Sequence, residues 1–268
     1  MERGDYLMPR GVGLNWRYDE ARLQRRLWTP SPEIIRRGLN LDAEKNITVV
    51  SGAVSQWNDS DELWSFTQST AGLRPAYQAG GWNNTPSVGF TASTQRLVGT
   101  ASFTPLVTTT AFTAFAVINQ TATGWFFEHG TTTPTARTGL VVIGADLLAV
   151  LNGQTIGTTI ATNTNYIIVW RFDGNASTKS ILRVNGVLAA SGGITAATTT
   201  STGALFVGFG PDLSTFRGRM RDLLILPYAA TDRQIELIEG YLYWKNGRLV
   251  ETPPASHPFR NHPPLIGD

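Results

Sequence analysis

Ile181-Leu182-Arg183-Val184-Asn185-Gly186-Val187-Leu188-Ala189-Ala190 sets an Asn-Gly pair between two short apolar runs. A two-residue hairpin loop of type I′ needs positive φ at both central residues, and asparagine followed by glycine meets that need at least cost. The stretch therefore reads as strand, tight turn and returning strand. The pattern recurs upstream, where Asn152-Gly153 separates Leu147–Leu151 from Gln154–Gly157. Two such hairpins make antiparallel sheet the expectation for the middle of the chain.

The surrounding residues agree. Threonine is abundant over 41–230, as in Thr108-Thr109-Thr110 and Thr198-Thr199-Thr200, and glycines punctuate the runs. Branched side chains suit a pleated surface. Further strands are expected at Phe112–Asn119, Gly124–His129, Gly139–Ile143, Tyr166–Phe172, Ala204–Phe209 and Arg219–Leu226. Strands do not alternate with helices, which argues against a parallel α/β sheet. A helix is expected over 231–246, where Thr231 and Gln234 form a capping box and Ile235, Ile238 and Leu242 share a face. Asn246-Gly247 ends it. Beyond it, Pro253-Pro254, Pro258 and Pro263-Pro264 exclude helix or central strand, so an extended tail fixed by Phe259 and Leu265 is expected.

The chain has 268 residues, 41% hydrophobic and 16% charged, which suits a globular body with a sizeable core. No apolar run is long enough for a membrane-spanning helix. The absence of cysteine excludes disulfide scaffolds, thiolate metal sites and cysteine nucleophiles. Met1-Glu2-Arg3-Gly4-Asp5 leads into nothing like a signal peptide, so synthesis in a cytoplasm is expected. Of 22 basic residues only Lys45, Lys179 and Lys245 are lysines, and eight of the 19 arginines fall in residues 1–37. Against five acids, that arm is modestly basic beside a near-neutral body. A charge this small does not suggest direct nucleic-acid binding.

Several segments carry a family resemblance. Gly52-Ala53-Val54-Ser55-Gln56-Trp57-Asn58-Asp59, followed by Gln68-Ser69-Thr70 and Leu73-Arg74-Pro75, resembles the opening of the concanavalin A-like, laminin-G-like jelly-roll domains of bacteriophage structural proteins. Phe216-Arg217-Gly218-Arg219-Met220-Arg221-Asp222-Leu223-Leu224-Ile225 resembles that family's closing strand. The helix Arg233–Lys245 and the segment Pro254-Ala255-Ser256-His257-Pro258-Phe259 are similar to its terminal helix and tail. The resemblance runs over residues 28–264. It implies an all-β, two-sheet antiparallel jelly-roll sandwich with one C-terminal surface helix and extended N- and C-terminal arms. The implied organisation is an arm at 1–40, a jelly roll at 41–246 and a proline-rich tail at 247–268.

Because this fold hosts enzymes, lectins and inert structural parts, function has to come from sites. Glycoside hydrolysis needs two carboxylates facing each other across a sugar. Glu128, Asp146, Asp173 and Asp222 are isolated, and the cluster Asp59-Ser60-Asp61-Glu62 reads as a solvated loop. No catalytic residue is assigned, and a Ser–His–Asp triad has no support around His129, the one histidine of the strand region. Laminin-G relatives imply calcium, for which Asp59, Asp61 and Asp173-Gly174-Asn175 are the only donors on offer; the last reads more simply as a turn. No cofactor is therefore expected. His257 and His262 lie in the tail without carboxylates nearby and are not read as metal ligands. Trp82-Asn83-Asn84, between Gly80-Gly81 and Pro86, has the composition of a glycan site, an aromatic to stack a sugar and amides for its hydroxyls. The competing reading, which the sequence favours, makes Trp82 a plug at the end of the sandwich. Trp57, Trp125 and Trp170 read as core.

The arm offers Trp16, Arg22, Arg25, Arg26, Trp28, Arg36 and Arg37, with a helix expected at Asp19–Trp28. Arginines beside aromatics have the make-up of an interface, so this set is expected to anchor the chain to other virion proteins. The resemblance thus implies a non-enzymatic phage virion-surface component, in capsid decoration or tail-associated adhesion, with a host-surface polysaccharide as ligand class. A homo-oligomer, a trimer among the options, is expected. The alternatives are a free carbohydrate-binding module and, behind it, a glycoside hydrolase.

Overall fold

The structure is a computed structural model and describes residues 27–35, 38–82, 84–130, 136–210, 215–247 and 253–268. A four-residue helix, α1 (Pro32–Ile35), starts the described part. Strands β1 (Leu39–Asp42), β2 (Ile47–Val50), β3 (Ala53–Asn58), β4 (Ser65–Thr67), β5 (Ala76–Trp82), β6 (Thr85–Phe90) and β7 (Leu97–Ser102) follow. Next come β8 (Ala111–Ala122), β9 (Gly124–Gly130), β10 (Arg137–Ile143), β11 (Asp146–Leu151), β12 (Gln154–Thr159) and β13 (Asn165–Asp173). The last elements are β14 (Ser180–Val184), β15 (Val187–Ser191), β16 (Ala204–Val207), β17 (Arg217–Leu226) and α2 (Asp232–Lys245). Every strand expected from the sequence forms, with ends moved by no more than three residues.

Pairing is antiparallel throughout the strand ladders and divides the strands into two sheets. One runs β5-β6-β17-β8-β13-β14-β15, with β1 sharing the free edge of β17 beside β6. The other runs β2-β3-β4-β7-β16-β9-β10-β11-β12. A single Ala53–Ala76 pairing joins them at one corner. This is the all-β jelly-roll sandwich with a C-terminal helix. Both Asn-Gly turns take positive φ at each residue, 54° and 79° at Asn152-Gly153 and 49° and 80° at Asn185-Gly186.

The centre of the first sheet is buried on both faces. Phe112, Ala114, Ala116 and Ile118 of β8, Ile168 and Trp170 of β13 and Leu223 and Ile225 of β17 point into the sandwich. They meet Trp57, Phe66, Phe127, Leu140, Leu147 and Val207 of the second sheet. The alternate residues Phe115, Val117, Ile167, Val169, Leu224 and Leu226 point outward and lie under Ile235, Ile238 and Leu242 of α2. Thr231 caps that helix, accepting from Gln234 N while its own N–H donates to Gln234 Oε1. Trp57 and Trp170 are core, as expected, but Trp125 belongs to a separate small cluster with Val141 and Val150.

Both ends pack on this body. Ile35 of α1 enters the helix-side cluster, and β1 already begins at Leu39. The tail from 253 to 268 is fixed over α2 by buried Phe259, while Leu265 bridges to Leu27. Its course is a series of tight turns, His257 N to Pro254 O and Arg260 N to His257 O among them, where an extended run was expected. Prolines remove donors but also set φ for turns, and here the second effect prevails.

Candidate functional site

Helix α2 packs on the outer face of the first sheet through Ile235, Ile238 and Leu242. Its C-cap, Asn246, donates to Asp222 Oδ2 at 3.2 Å, and the sheet beyond that point lies outside its cover. The next cross-strand row is polar. Asn165 of β13 pairs with Asn119 of β8, Asn119 with Arg219 of β17, and Arg219 with Gly89 of β6. Because residues 117 and 167 face outward, period-two alternation sends Asn119 and Asn165 the same way. Asn119 Nδ2 donates to Asn165 Oδ1 at 2.7 Å. Gln78 of β5 completes the row by crossing Gly89, where a Cβ would stand 2.8 Å from its Nε2. The Arg219 guanidinium donates to the Gly81 carbonyl and ties the row to the 80–85 turn. Four neutral or cationic hydrogen-bonding groups therefore lie side by side on this face, Arg219 exposed and the amides half-buried.

The 80–85 turn borders this row, but it does not present its tryptophan. Trp82 is only 4% exposed and belongs to the helix-side cluster that includes Ile35, Val117, Leu224 and Tyr243. The stacking role expected for it is replaced by the plug role, because the helix-side core supplies more apolar contact than solvent exposure would. Asn84 is exposed with φ 68°, and Asn83 lies outside the described residues. Sequence reading missed Asn119, Asn165, Arg219 and Gln78. The signal was present in part: Asn119 and Asn165 end two long apolar strands, one period-two step beyond the last outward apolar residue.

Trp16, Arg22, Arg25, Arg26, Arg36 and Arg37 lie outside the described residues, as do residues 19–26 of the expected helix. Trp28 is described. It sits half-buried on the protein's own helix, edge-on to Tyr241 with ring centroids 6.4 Å apart, and its N–H donates to Pro264 O. Its apolar ring thus finds a partner within the chain.

The acidic residues are engaged in structural contacts. Glu128 pairs with Arg137 at 3.1 Å, Glu239 with Arg183 at 2.9 Å, and Asp42 with Lys245 at 2.9 Å. Asp59 departs from the solvated loop expected for it. It is fully buried, its Oδ1 accepts from Trp64 N at 2.7 Å, and burial raises its carboxyl above the usual range. Asp61 and Glu62 are exposed. Asp173 Oδ1 accepts from Asn175 N at 3.0 Å, an Asx turn, as its sequence suggested. Among the described residues no three histidine or acidic side chains converge as a metal site. His257 Nε2 lies 3.4 Å from Glu239 Oε2, and His262 contacts the Pro263 carbonyl.

His129 does meet a serine. Its Nε2 lies 3.1 Å from Gly203 O and its Nδ1 2.8 Å from Ser201 Oγ. A carbonyl only accepts, so Nε2 carries the proton and Nδ1 accepts the Ser201 hydroxyl. Both residues are fully buried, and a carbonyl stands where an orienting carboxylate would be needed for a triad. Burial pushes His129 down to about 4 from 6.5. Between those values the unfolded chain binds a proton that the folded one refuses, so stability present above pH 6.5 drains as pH falls through the window. The full loss is roughly 3 kcal/mol. His129→Gln should flatten the stability–pH profile between about 4 and 6.5 in chemical denaturation. A slope unchanged from the wild type would assign the titration to other groups.

No protein-family model matches the sequence, and no curated protein matches it. Solved structures do match in shape. The binding domain of Paraclostridial Mosquitocidal Protein 1 aligns with TM-score 0.55 at 11% identity, covering 78% of this chain and 53% of that one. Trypanosoma rangeli sialidase in complex with sialic acid aligns with TM-score 0.52 at 12% identity, covering 78% of this chain and 33% of that one. The botulinum neurotoxin serotype G binding domain aligns with TM-score 0.50 at 12% identity, covering 77% and 50%. This chain thus spans a third to a half of the length of these three proteins. At such identities the likeness concerns the fold alone, a lectin-like jelly-roll β-sandwich.

Proposed function

We propose that the protein is a non-enzymatic glycan-binding module displayed on a phage virion surface. The observation that carries the glycan reading is the row Asn165–Asn119–Arg219–Gln78, which offers donors and acceptors from neighbouring strands on one sheet face, Arg219 exposed and the three amides half-buried. Sugar hydroxyls need paired donors and acceptors held rigidly, and strand-mounted amides provide them. The non-enzymatic reading is supported by the carboxylates named above, which serve ion pairs and turns. The virion setting is supported by the sequence resemblance of 52–59, 216–225 and the terminal helix, and the arginine-rich arm is its proposed anchor to capsid or tail.

The test is retention of the purified chain on immobilised host-surface polysaccharide. Asn119→Ala combined with Arg219→Ala should weaken retention about tenfold or more, since each hydrogen bond to a charged or well-held group is worth ~1–3 kcal/mol, and leave melting nearly unchanged. Full retention by the double variant would refute this face as the binding site. Antibody labelling of intact particles tests display; unlabelled particles would refute it.

A further inference from the structure

We infer that the saccharides taken on this face are acidic, carrying carboxylates. The inference rests on the glycan reading above and adds the charge of the ligand. Arg217 and Arg219 flank Gly218 on β17, where the register with β8 shifts and Gly218 takes φ 145°, and the exposed–buried alternation over 217–220 puts both on the outer face. Both are exposed. Among the described residues neither makes an ion pair. Their neighbours on the row, Asn119, Asn165 and Gln78, are neutral amides. The acids on the adjoining row, Asp222 and its cross-strand partner Asp42, are balanced by two cations, Lys245 on both and Lys45 on Asp42.

The two exposed guanidiniums repel each other weakly through water, and an anion between them turns that repulsion into attraction. A neutral sugar gains little from a second guanidinium where amides already supply hydrogen bonds. A carboxylate changes that balance. It accepts two parallel N–H bonds from a planar guanidinium, a geometry lysine does not offer. Of Arg219's five donors the Gly81 carbonyl takes one, which leaves a fork for the ligand. The amides then read the hydroxyls, and the arginines read the acid.

The experiment uses the full chain and three acidic polysaccharides, polygalacturonate, alginate and hyaluronate, each beside its carboxyl-reduced neutral form. Affinity electrophoresis should show at least one acidic polymer bound about tenfold or more tighter than its neutral form, the value of one charge-assisted pair, with the difference shrinking as salt rises. Arg217→Gln, at an exposed position, and Arg219→Gln should each reduce that preference. Asn119→Ala should weaken both forms alike. Equal binding of acidic and neutral forms, or binding of neutral forms only, overturns the acidic specificity while leaving the glycan reading in place. Failure to bind any of the six polymers overturns both.

Discussion

Replacing Lys245 by methionine should destabilise the fold by about 3–5 kcal/mol, the usual penalty for removing one partner from a buried charge cluster. Asp42 and Asp222 sit opposite each other in the β1–β17 register and are 3% and 1% exposed. Two carboxylates so placed cannot both stay ionised without a cation between them. Lys245, from the last turn of α2, contacts both, and Asn246 donates to the far oxygen of Asp222. Lys45 reaches Asp42 only from the solvent side, at 3.5 Å. Burial opposes ionisation of Asp42, but the charge and hydrogen bond of Lys245 outweigh it and hold the carboxyl below its usual range. Stability from this contact is therefore present above pH ~4, where an unfolded aspartate ionises, and is lost as pH falls further. Burial likewise opposes the charge on Lys245, but Asp222 and Asp42 prevail and raise its pKa, so the alkaline loss comes only at very high pH. Methionine keeps an unbranched apolar stem and removes the ammonium, including its contact 6.0 Å from the Tyr241 ring centroid. Urea unfolding at pH 7 measures the effect, and a cost below about 1 kcal/mol would mean that Lys45 and solvent already neutralise the pair.

The parts of the fold legible in the sequence are those that local chemistry decides. Asn152-Gly153, Asn185-Gly186 and the Thr231–Gln234 box each need only near neighbours to take their geometry. Strand partners are another matter, because a pairing such as Asn165 with Asn119 joins residues 46 apart and depends on register alone. The same limit hid the candidate site. A row across β13, β8 and β17 is not a motif, and its members look like ordinary strand ends until the sheet assembles them. Trp82 misled in the opposite direction. Glycine, asparagine and proline around it mark a surface turn, but the ring joins a buried cluster with Ile35 of α1 and Tyr243 of α2, far away in sequence. Asp59 shows a third case, in which an acidic run with a solvated composition turns one carboxylate inward to bind the amide of Trp64. The long apolar runs of β8 and β13 were readable as strands, but not as strands buried on both faces; that follows only from the helix docking above them.

Phe259→Ala should cost about 3–5 kcal/mol, as large-to-small changes at fully buried phenylalanines do. The ring is 1% exposed and lies against the bare backbone of Gly240, where a Cβ would stand 2.6 Å from Phe259 Cβ. Glycine inside a helix sacrifices ~1 kcal/mol relative to alanine, so its presence in α2 has to be offset by the contact it permits. Trp244 Nε1 donates to the Phe259 carbonyl at 2.8 Å, and the Arg233 guanidinium sits 4.9 Å above the ring. His257 and His262 flank it edge-on. The tail is thus a third layer over the helix, and through Pro264 O it also holds Trp28. Gly240→Val tests the same contact from the other side: it should raise intrinsic helix propensity yet lower the melting temperature by pushing Phe259 out. Chain truncation after Gly247 should reproduce the loss. In all three variants far-UV circular dichroism should remain that of a β-sandwich, because no described tail residue belongs to the core between the sheets. If Phe259→Ala and the truncation both melt like the wild type, the tail contributes nothing to stability and its contacts with α2 are incidental. If only Gly240→Val is harmful, the fault lies in the helix and not in the tail.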